Sequence, residues 1–202
     1  MKNKKLVIII SILLFIAVTI AALFYFKIIT FKEEEPEVNT LETIKDFNYE
    51  LEQRDTELFK TEYHKLKDVL SREDIDKGEY AEEIAKLYII DLYTISNKKN
   101  VYDVGSLEYV YPEIKDNFEL KVKDTLYKYL ENDTGKRTQK LPEVTAIQID
   151  ETKEDSIIYD NNTLLSYDIL LSWSYKEDLG YDTSAELILV EKDNKIYVLE
   201  QK

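Results

Sequence analysis

A long apolar run lies close to the first residue of the chain: between Leu6 and Phe26, only Ser11 and Thr19 are polar. As a helix rising about 1.5 Å per residue, it would reach roughly 31 Å, enough to cross a bilayer core of about 30 Å. The run therefore predicts one transmembrane helix over residues 6–26. A cleaved secretory signal is the alternative, but its apolar core usually spans only about 7–15 residues, so we favour a retained anchor.

Residues 27–54 follow the run and read as a stalk or linker, because they carry a cluster of glutamates and little periodicity. Within this segment, Phe47 to Glu52 alternates between apolar and polar residues, which is the period of a strand. The same residues are also compatible with a continuous helix, so both interpretations stay open.

Three later segments place apolar residues at helical spacing. The first begins with Asp55 as the predicted N-cap. The second extends from about Glu79 to Ser96, and its stretch Leu87–Tyr93 is apolar nearly all round, so we expect it to be the central buried helix. The third begins at Pro112 in its first turn and continues to Leu130.

The remaining sequence has the period of β-structure, and Asp193-Asn194 is a tight-turn signal. A charged turn is expected after Ile149. The predicted strands are Val144–Ile149, Ser156–Tyr159, Leu164–Tyr175, Thr183–Glu191 and Ile196–Leu199. Helices followed by antiparallel strands predict an α+β domain over residues 55–202, with two or three helices packed on a curved antiparallel sheet of about four to five strands.

The distribution of lysines decides the predicted orientation of the membrane helix. Lys2, Lys4 and Lys5 precede the apolar run, whereas Lys27 and Lys32 follow it. Because basic residues near a span favour the cytoplasmic side, the sequence predicts a cytoplasmic stub over residues 1–5. The expected localisation is the cell membrane, single-pass, with the C-terminal domain extracytoplasmic. The lipid bilayer is then the first predicted partner.

Charge and cysteine content narrow the classes of function. The formal net charge is -14, and residues 27–202 carry -17 once the three lysines ahead of the run are excluded. Such a surface repels nucleic acid, which we therefore exclude as a partner. The chain has no Cys, which excludes disulfides and thiol catalysis. The richness in Lys, Asn, Ile and Tyr is typical of an AT-rich bacterial genome, and no cofactor is predicted.

Few residues are candidates for chemistry. Asp91 lies in the most apolar helix, where a buried carboxyl could act as an acid, although a hydrogen-bonded structural role is the commoner outcome. Trp173, Tyr167 and Tyr175 share one face of a strand and could line a ligand pocket, or could fill the concave face as core. His64 is the only histidine, and we interpret it as a solvated surface residue.

Two further patterns point away from a specific site or add only a weak indication. Asp74, Asp76 and Glu79 surround Gly78 but do not match the spacing of a calcium loop, so we predict no metal site. Ala17 and Ala21 form a small-xxx-small pair, the spacing at which membrane helices approach closely and self-associate.

The order of these elements resembles a known architecture. A cytoplasmic stub, one anchor, a few helices and the long strands Leu164–Tyr175 and Thr183–Glu191, with Ile196–Leu199, are similar to the nuclear-transport-factor-two-like cone fold. The layout resembles in particular the bitopic scaffold protein of type IV secretion and conjugation systems. The resemblance covers about residues 55–202, rests on element order rather than a signature motif, and transfers no functional residue. It implies action through protein–protein contacts.

Three functional hypotheses follow from the sequence. The first is a membrane-anchored structural or protein-interaction module of the bacterial envelope, which binds a partner protein or itself and belongs to a secretion-type assembly. The second is an extracytoplasmic ligand-binding or sensory domain that acts through a partner. The third is an exported hydrolase or isomerase that uses Asp91. The absence of any recognisable catalytic motif favours a non-enzymatic role.

Overall fold

The computed structural model describes residues 15–22, 39–132 and 135–202. The chain divides into two units, Met1–Glu35 and Pro36–Lys202. In the first unit, residues 15–22 form a helix, α1, whose large apolar side chains, such as those of Phe15 and Val18, are exposed. The rest of the predicted span, including Leu6 and Phe26, lies outside the described residues. Within the described segments, no helix combines the length and apolar character needed to cross a membrane.

The second unit begins with a β-hairpin rather than a stalk. Strands β1 (Thr40–Ile44) and β2 (Tyr49–Glu52) pair antiparallel, so the strand reading of the alternating segment is confirmed. Tyr49 and Leu51 are buried in the core, and the Tyr49 hydroxyl lies 2.6 Å from that of Tyr80. Because this hairpin packs into the core, the unit starts at Pro36, earlier than the predicted boundary at residue 55.

Two helices follow the hairpin, α2 (Glu57–Leu70) and α3 (Lys77–Tyr93). The N-cap of α2 is Thr56 instead of the expected Asp55, whose carboxylate accepts a hydrogen bond from the backbone N–H of Glu52 at 2.7 Å. Helix α3 is buried on nearly all sides, as its apolar pattern predicts. Helix α3 ends at Tyr93, three residues before the predicted end at Ser96. Ser96 lies instead in a short 3₁₀ turn, Ile95–Asn97.

The third predicted helix is shorter than expected. A 3₁₀ turn, Pro112–Ile114, leads into α4 (Lys115–Asp124), and the chain then proceeds in turns to Leu130. The helix stops early because Tyr127 turns into the core, where its hydroxyl donates a hydrogen bond to the backbone oxygen of Leu92 at 2.9 Å. Helical periodicity could not reveal this contact, since Leu92 lies on another helix.

A four-stranded antiparallel sheet in the order β3-β4-β5-β6 completes the unit. Asp160-Asn161 and Asp193-Asn194 form the tight turns of two of its hairpins, and all four residues have positive φ, as type I′ turns require. The second turn was predicted and is confirmed. The α+β class is confirmed with it, and the strands are β3 (Val144–Tyr159), β4 (Asn162–Tyr175), β5 (Ser184–Lys192) and β6 (Lys195–Gln201).

The expected charged turn after Ile149 is wrong. Residues 150–155 continue β3 and pair with β4, so the two short predicted strands are one strand of 16 residues. The charged side chains are tolerated because β3 is an edge strand with most of its side chains in solvent. Two register irregularities interrupt its pairing with β4, which further blunts an exposed edge.

The core lies between the helices and one face of this sheet. Helix α3 packs against β3, β4, β5 and β6, and α2 packs on α3. The inward residues of β4 alternate with outward ones, as period two requires, and Ile169 and Leu171 are fully buried beneath the helices. This face of the sheet is therefore filled by apolar side chains near the centre of the domain.

Candidate functional site

The three pocket candidates on β4 belong largely to the core. Tyr167 is 2% exposed and Trp173 is 4% exposed, and the Trp173 ring lies 5.1 Å from the ring of Tyr93. Tyr175 is half-buried and donates a hydrogen bond to the backbone oxygen of Asp182 at 2.8 Å. None of the three lines the hollow of about 950 Å³ beside α4. The outcome matches the core interpretation rather than a ligand pocket at these residues.

Asp91 is held by structural partners. Its carboxylate pairs with the ammonium of Lys98, which is only 2% exposed, and accepts a hydrogen bond from the backbone N–H of Ser106. Gly105 packs directly against the backbone of Asp91, since a Cβ at position 105 would lie 2.5 Å from the backbone oxygen of Asp91. The carboxylate therefore connects the loop after α3 to the helix, and it does not line the hollow beside α4.

A second ion pair secures the same loop. Arg54 binds Asp103 through two nitrogens, and the backbone N–H of Lys99 donates to the same carboxylate. Burial alone would raise the pKa of Asp103, but the hydrogen bonds from Arg54 and Lys99 hold that pKa below its ordinary value. The acidic residues around this loop thus serve its conformation, and sequence spacing does not reveal the pairing of residues 54 and 103.

The other polar candidates are surface residues. His64 is exposed, as predicted, with its ring beside that of Tyr63. Asp76 is the N-cap of α3 and accepts a hydrogen bond from the backbone N–H of Glu79 at 3.0 Å, while Glu79 pairs with Arg72. Over residues 15–22, 39–132 and 135–202, no group of three or more acidic or histidine side chains is arranged to hold a metal ion.

An open groove of about 950 Å³ lies beside α4, and we call it the α4 groove. Helix α4 and the turn after it form one wall, the end of β6 and the loop over residues 180–184 form the other, and α3 forms part of the floor. A smaller hollow of about 290 Å³ shares Thr125, Leu126 and Tyr181 with the groove and extends it past Tyr129 and Gln139. The site is therefore elongated and open along its length.

The apolar stripe of α4 is incompletely covered along this groove. Val122 is the only buried residue of the helix. Ile114 before it, Phe118 on it and Leu126 after it are only partly buried, although all three continue the same stripe. The Phe118 ring reaches the Tyr88 ring at 5.9 Å between centroids. An amphipathic helix normally buries such a stripe in the core, so the exposed part of the α4 stripe is apolar surface that a ligand can cover.

Hydrogen-bonding groups meet on the floor and opposite wall of the groove. Tyr88 donates a hydrogen bond to Oε1 of Gln201 at 2.9 Å, and Nε2 of Gln201 donates to the Tyr93 hydroxyl at 2.8 Å. Burial raises the pKa of Tyr93, although the hydrogen bond from Gln201 opposes the rise, so its hydroxyl keeps its proton at neutral pH. That proton and the second amide hydrogen of Gln201 are donors for an incoming acceptor.

Comparison with known proteins adds no relative: no family model, curated protein or solved structure matches the chain. The candidate site therefore rests on geometry alone. Sequence analysis predicted the α4 stripe but missed the groove, because its walls come from residues about 90 to 200 along the chain. The one available signal was the excess apolar length of the third predicted helix.

Proposed function

We propose that this chain is a single-pass membrane protein whose extracytoplasmic domain acts by binding a partner protein in a bacterial envelope assembly. The observation that carries the protein-binding role is the α4 groove, where an apolar helix face packs against the core on one side and borders open space on the other. Exposed apolar surface next to hydrogen-bonding groups is typical of interaction sites. The secretion-type assembly implied by the resemblance is the setting we propose.

Two features of α1 support the membrane anchor. Its eight described residues are all exposed and, apart from Thr19, apolar, which suits a hydrocarbon environment better than water. The Thr19 hydroxyl donates to the backbone oxygens of Phe15 and Ile16 at 3.0 and 2.9 Å. A polar side chain that bonds back to its own helix can face lipid without leaving a donor unpaired.

Small-ligand binding is the second candidate, and one observation favours it. The groove volume of about 950 Å³ falls within the usual range of ligand pockets, about 300–1,000 Å³. Its open and elongated form fits a chain-like ligand better than a compact one, which is why we place protein binding first. An enzyme using Asp91 has less support, since that carboxylate is already engaged by Lys98 and Ser106.

Membrane topology can be tested by cysteine labelling, because the native chain contains no Cys and gives no background. We expect a cysteine placed at the exposed Glu73 to react with a membrane-impermeant maleimide in intact bacterial cells. A cysteine replacing Asn3 should react only after the cells are permeabilised. Labelling in the opposite order, or recovery of the chain in the soluble fraction, would refute the proposed anchor and orientation.

The protein-binding role can be tested separately by crosslinking. Full-length chain in intact cells is treated with a short amine-reactive crosslinker, and its adducts are separated by mass and identified. We expect a discrete adduct that contains a second polypeptide and survives stringent detergent washing. Recovery of the monomer alone, across crosslinkers of different reach, would argue against an interaction module.

A further inference from the structure

The α4 groove also indicates the chemistry of its occupant. Its apolar wall, formed by Phe118, Val122 and Leu126, requires apolar side chains in whatever fills it. The adjoining hollow near Leu126 lengthens the site. A long, open and partly apolar channel accommodates a polymer segment or an acyl chain, and two other features separate these possibilities.

The first feature is the number of amide and hydroxyl groups that face the groove and its extension. Asn117, Thr125, Ser184, Gln201 and Gln139 all line these hollows. Thr125, Gln139 and Gln201 each make hydrogen bonds within the protein but keep further donor or acceptor capacity. An acyl chain laid over the lining would remove water from the donors and acceptors that remain open, at a cost of about 1–3 kcal/mol for each group left without a partner. A peptide backbone offers an N–H and a C=O at nearly every residue and can replace the lost water. The lining therefore favours a peptide.

The second feature is charge. Asp182 and Glu200 lie on the β6 side of the groove, are exposed, and form no ion pair within the described segments. Lys121 faces them from α4 and is likewise without an ion pair there. Lys202 also lines the groove and its charge interacts with Glu200, but its ammonium is paired with Glu186. The carboxylates of Asp182 and Glu200 therefore still attract a cationic side chain to that wall. The surrounding domain strengthens the attraction, because residues 27–202 carry a net charge of -17.

The same charge disfavours a second copy of this chain as the occupant. The long edge of β3 is the obvious place for copies to pair, but Asp150, Glu151, Glu154 and Asp155 project from it, and two register irregularities disturb it. Like charges on approaching edges repel, and irregular strands pair poorly. A basic segment of a different protein meets neither obstacle.

We propose that the α4 groove binds a short segment of a partner protein that presents apolar side chains to α4 and at least one Lys or Arg to Asp182 and Glu200. This inference rests on the proposed protein-binding function and specifies its site and the chemistry of its partner. Binding would bury the exposed part of the α4 stripe, and the donors of Gln201 and Tyr93 would bond the backbone oxygens of the segment.

The test starts from an unbiased library of short peptides displayed on phage. The library is panned against the full-length chain in lipid nanodiscs, with empty nanodiscs as the counter-selection. Enriched peptides are synthesised with a fluorescent label, and their affinities are measured by fluorescence polarisation. We expect enriched sequences that combine apolar residues with a net positive charge. No specific enrichment, or enrichment of acidic sequences, would overturn the inference.

Paired variants locate the binding site. Leu126→Asp in the groove should weaken peptide binding at least tenfold. Leu120→Asp, which changes a side chain of α4 that is 60% exposed and does not line the groove, should leave the affinity unchanged. The double variant Asp182→Asn and Glu200→Gln changes only exposed side chains, so it should fold normally and weaken binding about threefold or more. Equal affinity in this double variant and the parent chain would contradict the proposed role of the two carboxylates, whatever Leu126→Asp does.

An acyl-chain probe tests the alternative that the groove binds a lipid-like ligand. Cis-parinaric acid, a fluorescent fatty acid, is titrated into the same nanodiscs, with and without the selected peptide. Saturable binding that Leu126→Asp abolishes, in the absence of any selected peptide, would overturn the inference in favour of a lipid-like ligand. A crosslinked partner protein found together with a failed peptide selection would leave the proposed function standing and reject only this site.

Discussion

Partial burial of Glu108 makes the stability of the domain depend on pH. Removal from water raises the pKa of this carboxyl from its ordinary value of 4.5 to about 8, and the nearby negative charge of Asp91 adds to the rise. Between these two values the folded state holds the proton more tightly than the unfolded state does. Stability is therefore fully present at low pH and falls as pH rises through this window.

The size of the effect follows from the width of the window. Each unit of pH within it costs about 1.4 kcal/mol, so three units, from about pH 5 to about pH 8, give a loss of about 3–4 kcal/mol from Glu108 alone. Partial solvation lowers this figure toward about 2 kcal/mol. Asp55 acts in the same direction, because burial raises its pKa from 3.8 to about 6. The stability that Asp55 contributes is lost as the pH rises from 3.8 to about 6, mostly below the window of Glu108.

The perturbation is Glu108→Gln, which keeps the size of the side chain and removes its ionisation. Urea unfolding of the full-length chain in detergent is followed through Trp173, the single tryptophan, which is buried and should change its emission on unfolding. At about pH 8 the variant should be more stable than the parent by about 2–4 kcal/mol, and at about pH 5 by less than about 1 kcal/mol.

The control is Glu73→Gln, which makes the same chemical change at an exposed position. It should leave the pH dependence of the free energy of unfolding unaltered. If Glu108→Gln and the parent lose the same free energy between about pH 5 and about pH 8, Glu108 is not the buried acid described above, and the reasoning fails.

Two further predictions concern the loop after α3 and use the same unfolding measurement. Gly105→Ala should lower the free energy of unfolding by about 2–4 kcal/mol, because its Cβ would lie 2.5 Å from the backbone oxygen of Asp91. Gly78→Ala should change this free energy by less than about 1 kcal/mol, because its Cβ meets only a side-chain oxygen at 3.3 Å. Equal effects of the two substitutions would refute the close approach at Gly105. Asp91→Asn should cost about 3–5 kcal/mol by removing the ion-pair partner of the buried ammonium of Lys98, and adding Lys98→Met should recover part of that loss. A double variant no more stable than Asp91→Asn would count against this pairing.

Sequence patterns predicted the elements whose residues are close together along the chain. The burial of α3 followed from its stretch Leu87–Tyr93, which is apolar nearly all round, and the turn at Asp193 and Asn194 followed from residue types that accept positive φ. The inward face of β4 followed from its period of two, which placed Trp173 on the core side. Each inference needed only local chemistry and the burial of apolar surface.

Errors arose where a distant partner decided the local structure. The charged residues 150–155 read as a turn, but pairing with β4 holds them in one long edge strand. For Asp91 the sequence favoured a structural role over a candidate acid, but it could not identify Lys98 and Ser106 as the partners of its carboxylate. In both cases the deciding contact lies across a strand pair or a loop, and no periodicity along the chain encodes it.

The sequence alone determined the α+β class, the buried central helix and the strongly acidic character of this protein, because composition and hydrophobic period act through neighbouring residues. Only the tertiary structure revealed the α4 groove, since Phe118, Leu126, Tyr181 and Gln201 come from four separate segments. Whether an apolar stripe ends in the core or beside open space depends on how far its helix stands from the sheet. Such packing depends on contacts between distant residues, as where buried Tyr127 bonds the backbone of Leu92 just after α4, and no pattern along the chain encodes them.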